Sequence, residues 1–202
     1  MILYDLPSGM HPRRVRIFLA EKGLSIPVRV IDAGAGENRQ EDFLRLNPTG
    51  LLPVLQLDDG TVLTESLAIC RYLEALHPEP ALMGQGALGC AQVEMWTRRM
   101  ELQISQPIVN VFLHSSEFYR TRITQVPAYA DWSRDQALSG MRWLDQVLAN
   151  QAFVAGDRYT LADIVAQCAF VLGKAVGLRI TPETPHLGRW FTEVSARPTA
   201  RA

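Results

Sequence analysis

Residues 47–55 read NPTGLLPVL, an apolar run typical of the entry to a buried β-strand, but with a proline inside it. Proline cannot donate a hydrogen bond to a β-ladder, so Pro53 is expected at an edge, a bulge or the first residue of a strand. A cis Leu52–Pro53 peptide in a tight turn is the more specific hypothesis. It would turn the backbone of Leu52 outward, where its N–H and C=O can pair with an extended peptide. The stretch therefore predicts the start of a strand next to a ligand-binding position.

The first 76 residues alternate between strand-like and helical patterns. Asp59-Gly60 between two β-type runs predicts a hairpin, and Pro12 and Gly23 mark the first turn and the end of a helix. The predicted elements are a strand at 2–4, a helix over 12–22, a strand at 28–31, a short helix at 41–46, hairpin strands around 58–60 and a helix over 65–76. This order, βαβ and then ββα, predicts an α/β sheet domain with a right-handed first crossover if its strands are parallel.

The rest of the chain has only helical patterns. After a Pro- and Gly-containing stretch, helices are predicted at 91–114 with a kink at Pro107, 129–148, 161–176 and 187–194. The predicted organisation is an α/β domain at 1–76, a linker at 77–87 and an all-α domain at 88–202.

Composition excludes several classes of protein. The chain has 202 residues, 48% of them hydrophobic, and a net charge of −1, which argues against nucleic acid as a partner. No apolar run approaches the roughly 18–20 residues that span a bilayer, and the N-terminus lacks the pattern of a signal peptide, so a cytoplasmic protein without membrane association is expected. The three cysteines lie far apart without His neighbours at ligand spacing, so no metal is expected.

Residues 159–164, YTLADI, carry a capping pattern. Thr160 as N-cap and Asp163 three residues later can each satisfy a free backbone donor, and Tyr159 and Ile164 complete a hydrophobic staple. The prediction for this pair is structural: it fixes the start of a buried helix.

Residues 64–69, TESLAI, begin a helix directly after a strand. The N-terminus of a helix attracts a carboxylate, which Ser66 could also bind through its hydroxyl, while Glu65 could accept from an ammonium group. Such a pair suits the end of an amino-acid-like ligand. The alternative, that Thr64 or Ser66 simply caps the helix, is equally compatible with the sequence.

Three stretches together, NPTGLLPVL, DDGTVLTESLAICRYLE and NQAFVAGDRYTLADI, resemble the cytosolic glutathione S-transferases, most closely the theta-like members of bacteria and fungi. The resemblance implies a thioredoxin-like N-terminal domain and a helical C-terminal domain. It also implies contacts with glutathione: Leu52 before Pro53 for the cysteinyl backbone, and Glu65 with Ser66 for the γ-glutamyl end. Counting back from Phe43 gives Asn38 and Arg39 for the glycine carboxylate. Leu51 departs from the family, since many relatives have lysine there.

The family activates the thiol of glutathione by hydrogen bonding to the thiolate, which is the nucleophile. Ser8, in the loop after the first strand, is the leading candidate donor, because Tyr4 falls within the strand itself. His11 in the same loop is an alternative. Asn110 and His114, four residues apart on one helix face, are further alternatives because some relatives use polar groups from that helix.

The resemblance predicts an enzyme that binds reduced glutathione as co-substrate and a hydrophobic electrophile held by the helical domain, and that forms a homodimer. Two other functions stay open from the sequence. One is a non-catalytic protein that binds glutathione or another ligand. The other is a glutathione-dependent disulfide reductase or peroxidase, although the first loop contains no cysteine.

Overall fold

The computed structural model describes all residues, Met1–Ala202. They form two compact units: Met1–Ala81 together with Arg201–Ala202, and Leu82–Ala200. None of the helices is both long enough and apolar enough to cross a bilayer.

The first unit is a four-stranded mixed sheet with helices, as predicted. Its elements are β1 (Ile2–Asp5), α1 (Met10–Glu21), β2 (Val28–Val30), α2 (Glu41–Leu46), β3 (Val54–Gln56), β4 (Val62–Thr64) and α3 (Ser66–Leu76). The strand order is β2-β1-β3-β4, with β1 and β2 parallel and the other pairs antiparallel. The predicted βαβ unit and the hairpin at Asp59-Gly60 are therefore confirmed. A 3₁₀ turn at Glu37–Arg39 lies within a stretch that had been expected to be loop.

Side chains alternate between the two faces of this sheet, and helices cover both. Leu3 of β1 pairs with Leu55 of β3, and both are fully buried. Helices α1 and α3 pack on each other, and their inward-facing residues are also fully buried, namely Val15, Phe18, Ile69 and Leu73. The other face buries Val54 against Ile31 and Phe43, the latter from α2. The sheet is thus a central layer whose edges and strand ends remain available to a ligand.

Lys22, directly after α1, ties down the end of α3 and the segment that follows it. Its side chain is fully buried and donates to the carbonyls of His77 at 2.8 Å, Pro78 at 3.2 Å and Pro80 at 2.5 Å. Its Nζ also lies 2.5 Å from a carboxylate oxygen of Glu74. One ammonium group therefore donates to three carbonyls and forms an ion pair with one acid.

Replacing this lysine by methionine removes the ammonium but keeps most of the side chain's volume. We expect Lys22→Met to lower the free energy of unfolding by about 3 kcal/mol, because a mostly buried carboxylate and several carbonyls lose their partner. Denaturant unfolding followed by circular dichroism measures the loss. Arg45→Met, which breaks only the exposed pairs with Glu41 and Asp42, is the control and should cost less than about 1 kcal/mol. Equal losses in the two variants would contradict this account.

The second unit consists of helices only. They are α4 (Gly86–Arg99), α5 (Gln106–Ser115), α6 (Pro127–Leu148), α7 (Leu161–Ala175) and α8 (Pro185–Ala196). The first begins five residues before its predicted start at Ala91. The predicted kink at Pro107 is replaced by a π-helical segment, Met100–Ser105, which separates α4 from α5, so that Pro107 lies in the first turn of α5. A Cβ on Gly140 of α6 would lie 2.5 Å from the Gln103 carbonyl oxygen, so glycine permits the close approach of α6 to the π-helical segment.

The start of α7 is fixed by a buried acid. Thr160 and Asp163 form the capping box, in which one carboxylate oxygen accepts from the Thr160 N–H at 2.9 Å and from its hydroxyl at 3.1 Å. The other accepts from the Val154 N–H and from Trp190 Nε1, both at 2.8 Å. Burial raises the pKa of Asp163 to about 6, while the four donors act in the opposite direction.

Asp163→Asn should reduce stability and change its dependence on pH. An amide leaves some of the four donors facing its NH₂ group, which predicts a loss of about 2 kcal/mol at pH 7. Because the pKa is higher in the folded than in the unfolded chain, the stabilisation tied to this proton is full below the unfolded value of 3.8 and is lost as pH rises through about 6. The advantage of the wild type over the variant should therefore grow by about 1 kcal/mol between pH 7 and pH 5.

Urea unfolding at both pH values measures this difference, and Asp135→Asn, at an exposed position of α6, controls for the loss of a charge. An advantage that is constant or smaller at pH 5 would show that burial does not raise the pKa of Asp163.

Candidate functional site

The segments in which the N-terminal site residues were predicted meet at one edge of the sheet, which we call the site edge. Val54, at the start of β3, pairs with Tyr4 near the end of β1 and with Thr64 at the end of β4. The end of β2 lies at the same edge, because Val30 pairs with Asp5 in the parallel ladder. The loops that carry the candidate residues leave from this edge, namely residues 6–9, 31–39, 51–53 and 65–66.

The backbone at Leu52 is open toward this edge. The Leu52–Pro53 peptide is cis, and Pro53 directly precedes the first residue of β3. Leu52 is half-buried, and its N–H and C=O take part in neither the sheet ladder nor the other backbone hydrogen bonds of the chain. An extended peptide can therefore pair with this residue.

Polar side chains hold the turn before Leu52. Buried Asn47 donates to the Leu51 carbonyl at 2.8 Å and accepts from the Thr49 hydroxyl at 2.9 Å. Asn38 donates to the Gly50 carbonyl at 2.7 Å, and Arg39 donates to the Thr49 carbonyl at 3.1 Å. The two residues predicted for the glycine end thus lie beside the turn that leads into the cis peptide.

Glu65 has an unusual backbone conformation. Its φ of 65° is the only positive value among the non-glycine residues, and such a conformation costs about 1–3 kcal/mol. Glu65 is the N-cap of α3, and no side chain caps the helix. The alternative interpretation of Thr64 or Ser66 as plain caps is therefore wrong. The exposed Glu65 and the buried Ser66 leave the N-terminus of α3 open to a ligand.

Arg14 is a residue that sequence reasoning missed. It is 1% exposed on α1, and its Nη1 lies 3.5 Å from the Ser66 hydroxyl oxygen. This buried guanidinium thus lies beside the uncapped N-terminus of α3, whose free backbone N–H groups and positive dipole end attract negative charge. The available signal was its spacing: Arg14 lies four residues before Phe18, on the apolar face of α1.

The loop that carries Ser8 is held by Arg16. This arginine forms an ion pair with buried Asp5 at 2.6 Å and donates to the Pro7 carbonyl at 2.9 Å. Ser8 itself is exposed in the turn. Tyr4 lies in β1, as predicted, and its hydroxyl donates to Gln56 at 2.9 Å.

His11 lies in the first turn of α1, after this loop. The residue is exposed overall, yet desolvation of its ring and, to a smaller extent, the charge of Arg14 lower the pKa of His11 to about 4. The imidazole is therefore neutral at physiological pH.

Asn110 and His114 belong to the helical unit and are bound to partners there. Asn110 is buried, accepts from Gln106 at 2.9 Å and donates to the Tyr129 hydroxyl at 3.0 Å. His114 Nδ1 accepts from the Val126 N–H at 3.1 Å, and its ring packs edge-on against Tyr129 with centroids 5.2 Å apart. The two residues share a helix face, as predicted, and that face packs on Tyr129 of α6.

The strand order of the sheet and the backbone features at the site edge together define a class of protein. A sheet of this order, with a cis-proline before β3 and an open helix N-terminus after β4, is a thioredoxin-like domain, and an all-helical unit follows it in the chain. The family models agree: residues 10–76 match "Glutathione S-transferase, N-terminal domain", and residues 108–198 match "Glutathione S-transferase, C-terminal domain". The chain belongs to the glutathione S-transferase family.

Individual relatives support this assignment. Glutathione S-transferase 2 of Saccharomyces cerevisiae is 35% identical over 100% of this chain and 88% of its own length. The crystal structure of Gtt2 from Saccharomyces cerevisiae superposes with a TM-score of 0.94 at 35% identity, covering 100% of this chain and 99% of that one. A glutathione S-transferase domain-containing protein of Marinobacter aquaeolei has a TM-score of 0.95 at 34% identity, covering 99% and 100% of the two chains. The predicted fold class, a thioredoxin-like domain followed by helices, is confirmed.

Substitution of Gly50 tests how tightly the turn before Leu52 packs against the Asn38-Arg39 segment. Gly50 has a φ of 65°, and a Cβ there would lie 2.9 Å from the Asn38 carbonyl oxygen and 2.8 Å from Arg39 Nη1. Gly60, with a φ of 88°, has nothing within 4 Å of such a Cβ.

Both alanine variants carry backbone strain, which predicts a loss of about 1 kcal/mol for Gly60→Ala. Gly50→Ala should lose at least about 1 kcal/mol more of the free energy of unfolding, because the backbone at Asn38 must also move. Chemical unfolding measures both losses, and equal losses would mean that the turn and the segment are not tightly packed.

Proposed function

We propose that this glutathione transferase binds reduced glutathione in an extended pose along the site edge and activates its thiol for attack on a hydrophobic electrophile. The observation that carries this proposal is the meeting of two features at one edge. The free backbone of Leu52 before cis Pro53 lies next to the uncapped start of α3 at Glu65 and Ser66.

The cysteinyl residue of glutathione pairs with the backbone of Leu52 as a short added strand. Its γ-glutamyl carboxylate lies at the N-terminus of α3, where backbone N–H groups and the Ser66 hydroxyl donate to it. Arg14 supports this contact, because its guanidinium can donate to the Ser66 oxygen and leave the hydroxyl proton for the ligand. Glu65 accepts from the ammonium group of the same residue.

The glycine carboxylate of glutathione is assigned to Asn38 and Arg39. Arg39 uses Nη1 to hold Thr49, and a guanidinium has further N–H donors for a carboxylate. Leu51, which stands where many relatives have lysine, contributes no charge, so Arg39 supplies the positive charge at the glycine end.

Ser8 is the proposed donor to the sulfur. Its hydroxyl is exposed, and Arg16 holds the loop that carries it. A hydrogen bond to the thiolate lowers the pKa of the thiol, so the proton passes to solvent. The sulfur lone pair then forms a carbon–sulfur bond to the electrophile, and a leaving group such as chloride departs with its bonding electrons. His11, Asn110 and His114 are the alternative donors, although the partners of the last two compete for this role.

The test measures binding and catalysis separately. In Ser8→Ala we expect kcat/KM with chlorodinitrobenzene to fall about 100-fold, with a nearly unchanged Kd for glutathione. The conjugation rate of this variant should rise at a higher pH than that of the wild type, because its bound thiol ionises less readily. In Ser66→Ala we expect the Kd from calorimetry to rise about 10-fold, because one charge-assisted hydrogen bond is lost. Ser195→Ala, at an exposed position of α8, is the control.

A Ser8→Ala enzyme with wild-type kinetics would transfer the donor role to His11, Asn110 or His114. Glutathione binding without any conjugation by the wild type would indicate a carrier protein instead. Faster turnover of a disulfide or peroxide than of the aryl halide would indicate a reductase or peroxidase.

A homodimer in the cytoplasm is part of the proposal. Large apolar side chains exposed in the single chain, among them Leu51, Leu88 and Leu102, are candidates for a subunit interface. Sedimentation velocity tests the assembly, and a monomer at micromolar concentration would contradict it.

A further inference from the structure

Two aromatic side chains of the helical unit are stacked on each other and yet lie largely in solvent. Tyr129 and Trp132, near the start of α6, have ring centroids 5.7 Å apart and ring planes inclined by 13°. Tyr129 is 40% exposed and Trp132 is 55% exposed. Rings of this size normally stabilise a protein by burial, and this pair gives up much of that gain in the single chain. We call the pair the aromatic shelf, and a flat molecule can cover it.

The hydroxyl oxygen of Tyr129 is held by a chain of side-chain amides. Asn110 of α5, which is buried, donates to this oxygen at 3.0 Å and accepts from the Gln106 amide at 2.9 Å. A phenolic hydroxyl both accepts and donates, so the contact with Asn110 leaves the hydroxyl proton to donate. No group of the protein accepts that proton. The chain of amides therefore presents a hydrogen-bond donor beside the aromatic shelf.

The ring of Tyr129 is fixed as well as its oxygen. His114 of α5 packs edge-on against it, with ring centroids 5.2 Å apart and an angle of 83° between the planes. His114 is itself held, because its Nδ1 accepts from the Val126 N–H at 3.1 Å. A donor whose ring and oxygen are both positioned needs little rearrangement when charge develops near it. Asn110 and His114 thus both position Tyr129.

The aromatic shelf has no charged partner. No charged side chain forms a hydrogen bond or a ring contact with Tyr129 or Trp132. On the same helix, Asp131 is exposed, and Arg134 donates to the Val176 carbonyl at 2.9 Å. A ligand that suits this surface is therefore neutral, with a flat conjugated body for the rings and an oxygen that accepts a hydrogen bond.

We propose that Tyr129 is a further catalytic residue, whose hydroxyl donates to the carbonyl oxygen of a flat, conjugated α,β-unsaturated ketone or aldehyde. The conjugated body of this electrophile lies against the aromatic shelf of Tyr129 and Trp132. The inference rests on the function proposed above, which supplies the glutathione thiolate.

The chemistry of the addition explains why this electrophile suits the hydroxyl. The thiolate lone pair forms a carbon–sulfur bond to the β-carbon, and the electrons of the carbon–carbon double bond shift toward the carbonyl. The product of this step is an enolate, whose oxygen carries the negative charge and accepts from Tyr129. The α-carbon then takes a proton from solvent, and no group leaves. A donor at the oxygen stabilises the transition state, because charge develops there.

The first test compares two substrates in the full-length enzyme: benzylideneacetone, an unsaturated ketone, and chlorodinitrobenzene, which has no carbonyl. Tyr129→Phe keeps the ring and its stacking but removes the hydroxyl. We expect kcat with benzylideneacetone to fall about 30-fold at a nearly unchanged KM, less than for a buried donor because water can partly replace the hydroxyl. With chlorodinitrobenzene, kcat should change by less than about 3-fold, since its departing halide carries the charge away.

Tyr119→Phe is the matched control. It removes a hydroxyl from another ring of the helical unit, which packs on Phe112 and Phe118. Both substrates should be conjugated by this variant as they are by the wild type.

The second test measures binding without reaction. Benzylacetone, the saturated analogue of the ketone, lacks the double bond that the thiolate attacks. The chain has four tryptophans, and the indole N–H resonance that is missing from Trp132→Ala belongs to Trp132. We expect benzylacetone to shift this resonance in the ¹⁵N-labelled wild type. The resonance of Trp190, which is fully buried, should not move.

Three results would overturn the proposal: an unchanged kcat with benzylideneacetone in Tyr129→Phe, equal losses with both substrates, or a ketone that leaves the Trp132 resonance in place. A failure of the proposed transferase function gives a different pattern. The wild type would then conjugate neither substrate, whereas benzylacetone would still shift Trp132. That pattern would overturn the catalytic role of Tyr129 and support the shelf as a binding site for the ketone.

Discussion

The pairing of Val54 with both Tyr4 and Thr64 brings the proposed glutathione contacts at Leu52 and at Glu65-Ser66 to one edge of the sheet. Because β3 runs antiparallel to both of its neighbours, its first residue meets the ends of β1 and β4. The cis peptide before β3 and the open helix after β4 are thereby brought to one edge. A shift of the register by one residue would turn Val54 and Leu55 to the wrong faces of the sheet, so burial of these two residues keeps the site assembled.

The loops at this edge are positioned by side chains that satisfy backbone groups. Asn47 holds the turn before the cis peptide, Arg16 holds the loop that carries Ser8, and Lys22 holds the segment after α3. In the helical unit, Asp163 accepts from the backbone N–H groups of Val154 and Thr160. Backbone groups outside helices and sheets need partners when they are buried, and in this protein four polar or charged side chains provide many of them. The backbone left open, at Leu52 and at the start of α3, is what remains for a ligand.

Much of this arrangement could be predicted from the sequence, because it follows from local patterns. Pro53 within an apolar run, Asp59-Gly60 between strand-like runs and the Thr160–Asp163 pair each have a local physical reason. The π-helical segment could not be predicted from local pattern, since it lies where Gly140 of α6 approaches the Gln103 carbonyl closely. Arg14 was missed because its importance depends on its contact with Ser66, 52 residues away. The donor to the sulfur also stayed open, because loop geometry and ligand position decide it.

The most direct test of the central claim is a titration of glutathione followed by the backbone amide resonances of the ¹⁵N-labelled protein. The account predicts that the amides of Leu52, Ser66 and Leu67 shift most, since these N–H groups face the proposed ligand. The amides around Asn38 and Arg39 should shift next, and those of α8 in the helical unit should not move. Saturable binding that leaves Leu52 and Ser66 unshifted, with the largest changes elsewhere, would contradict the placement of glutathione at this edge.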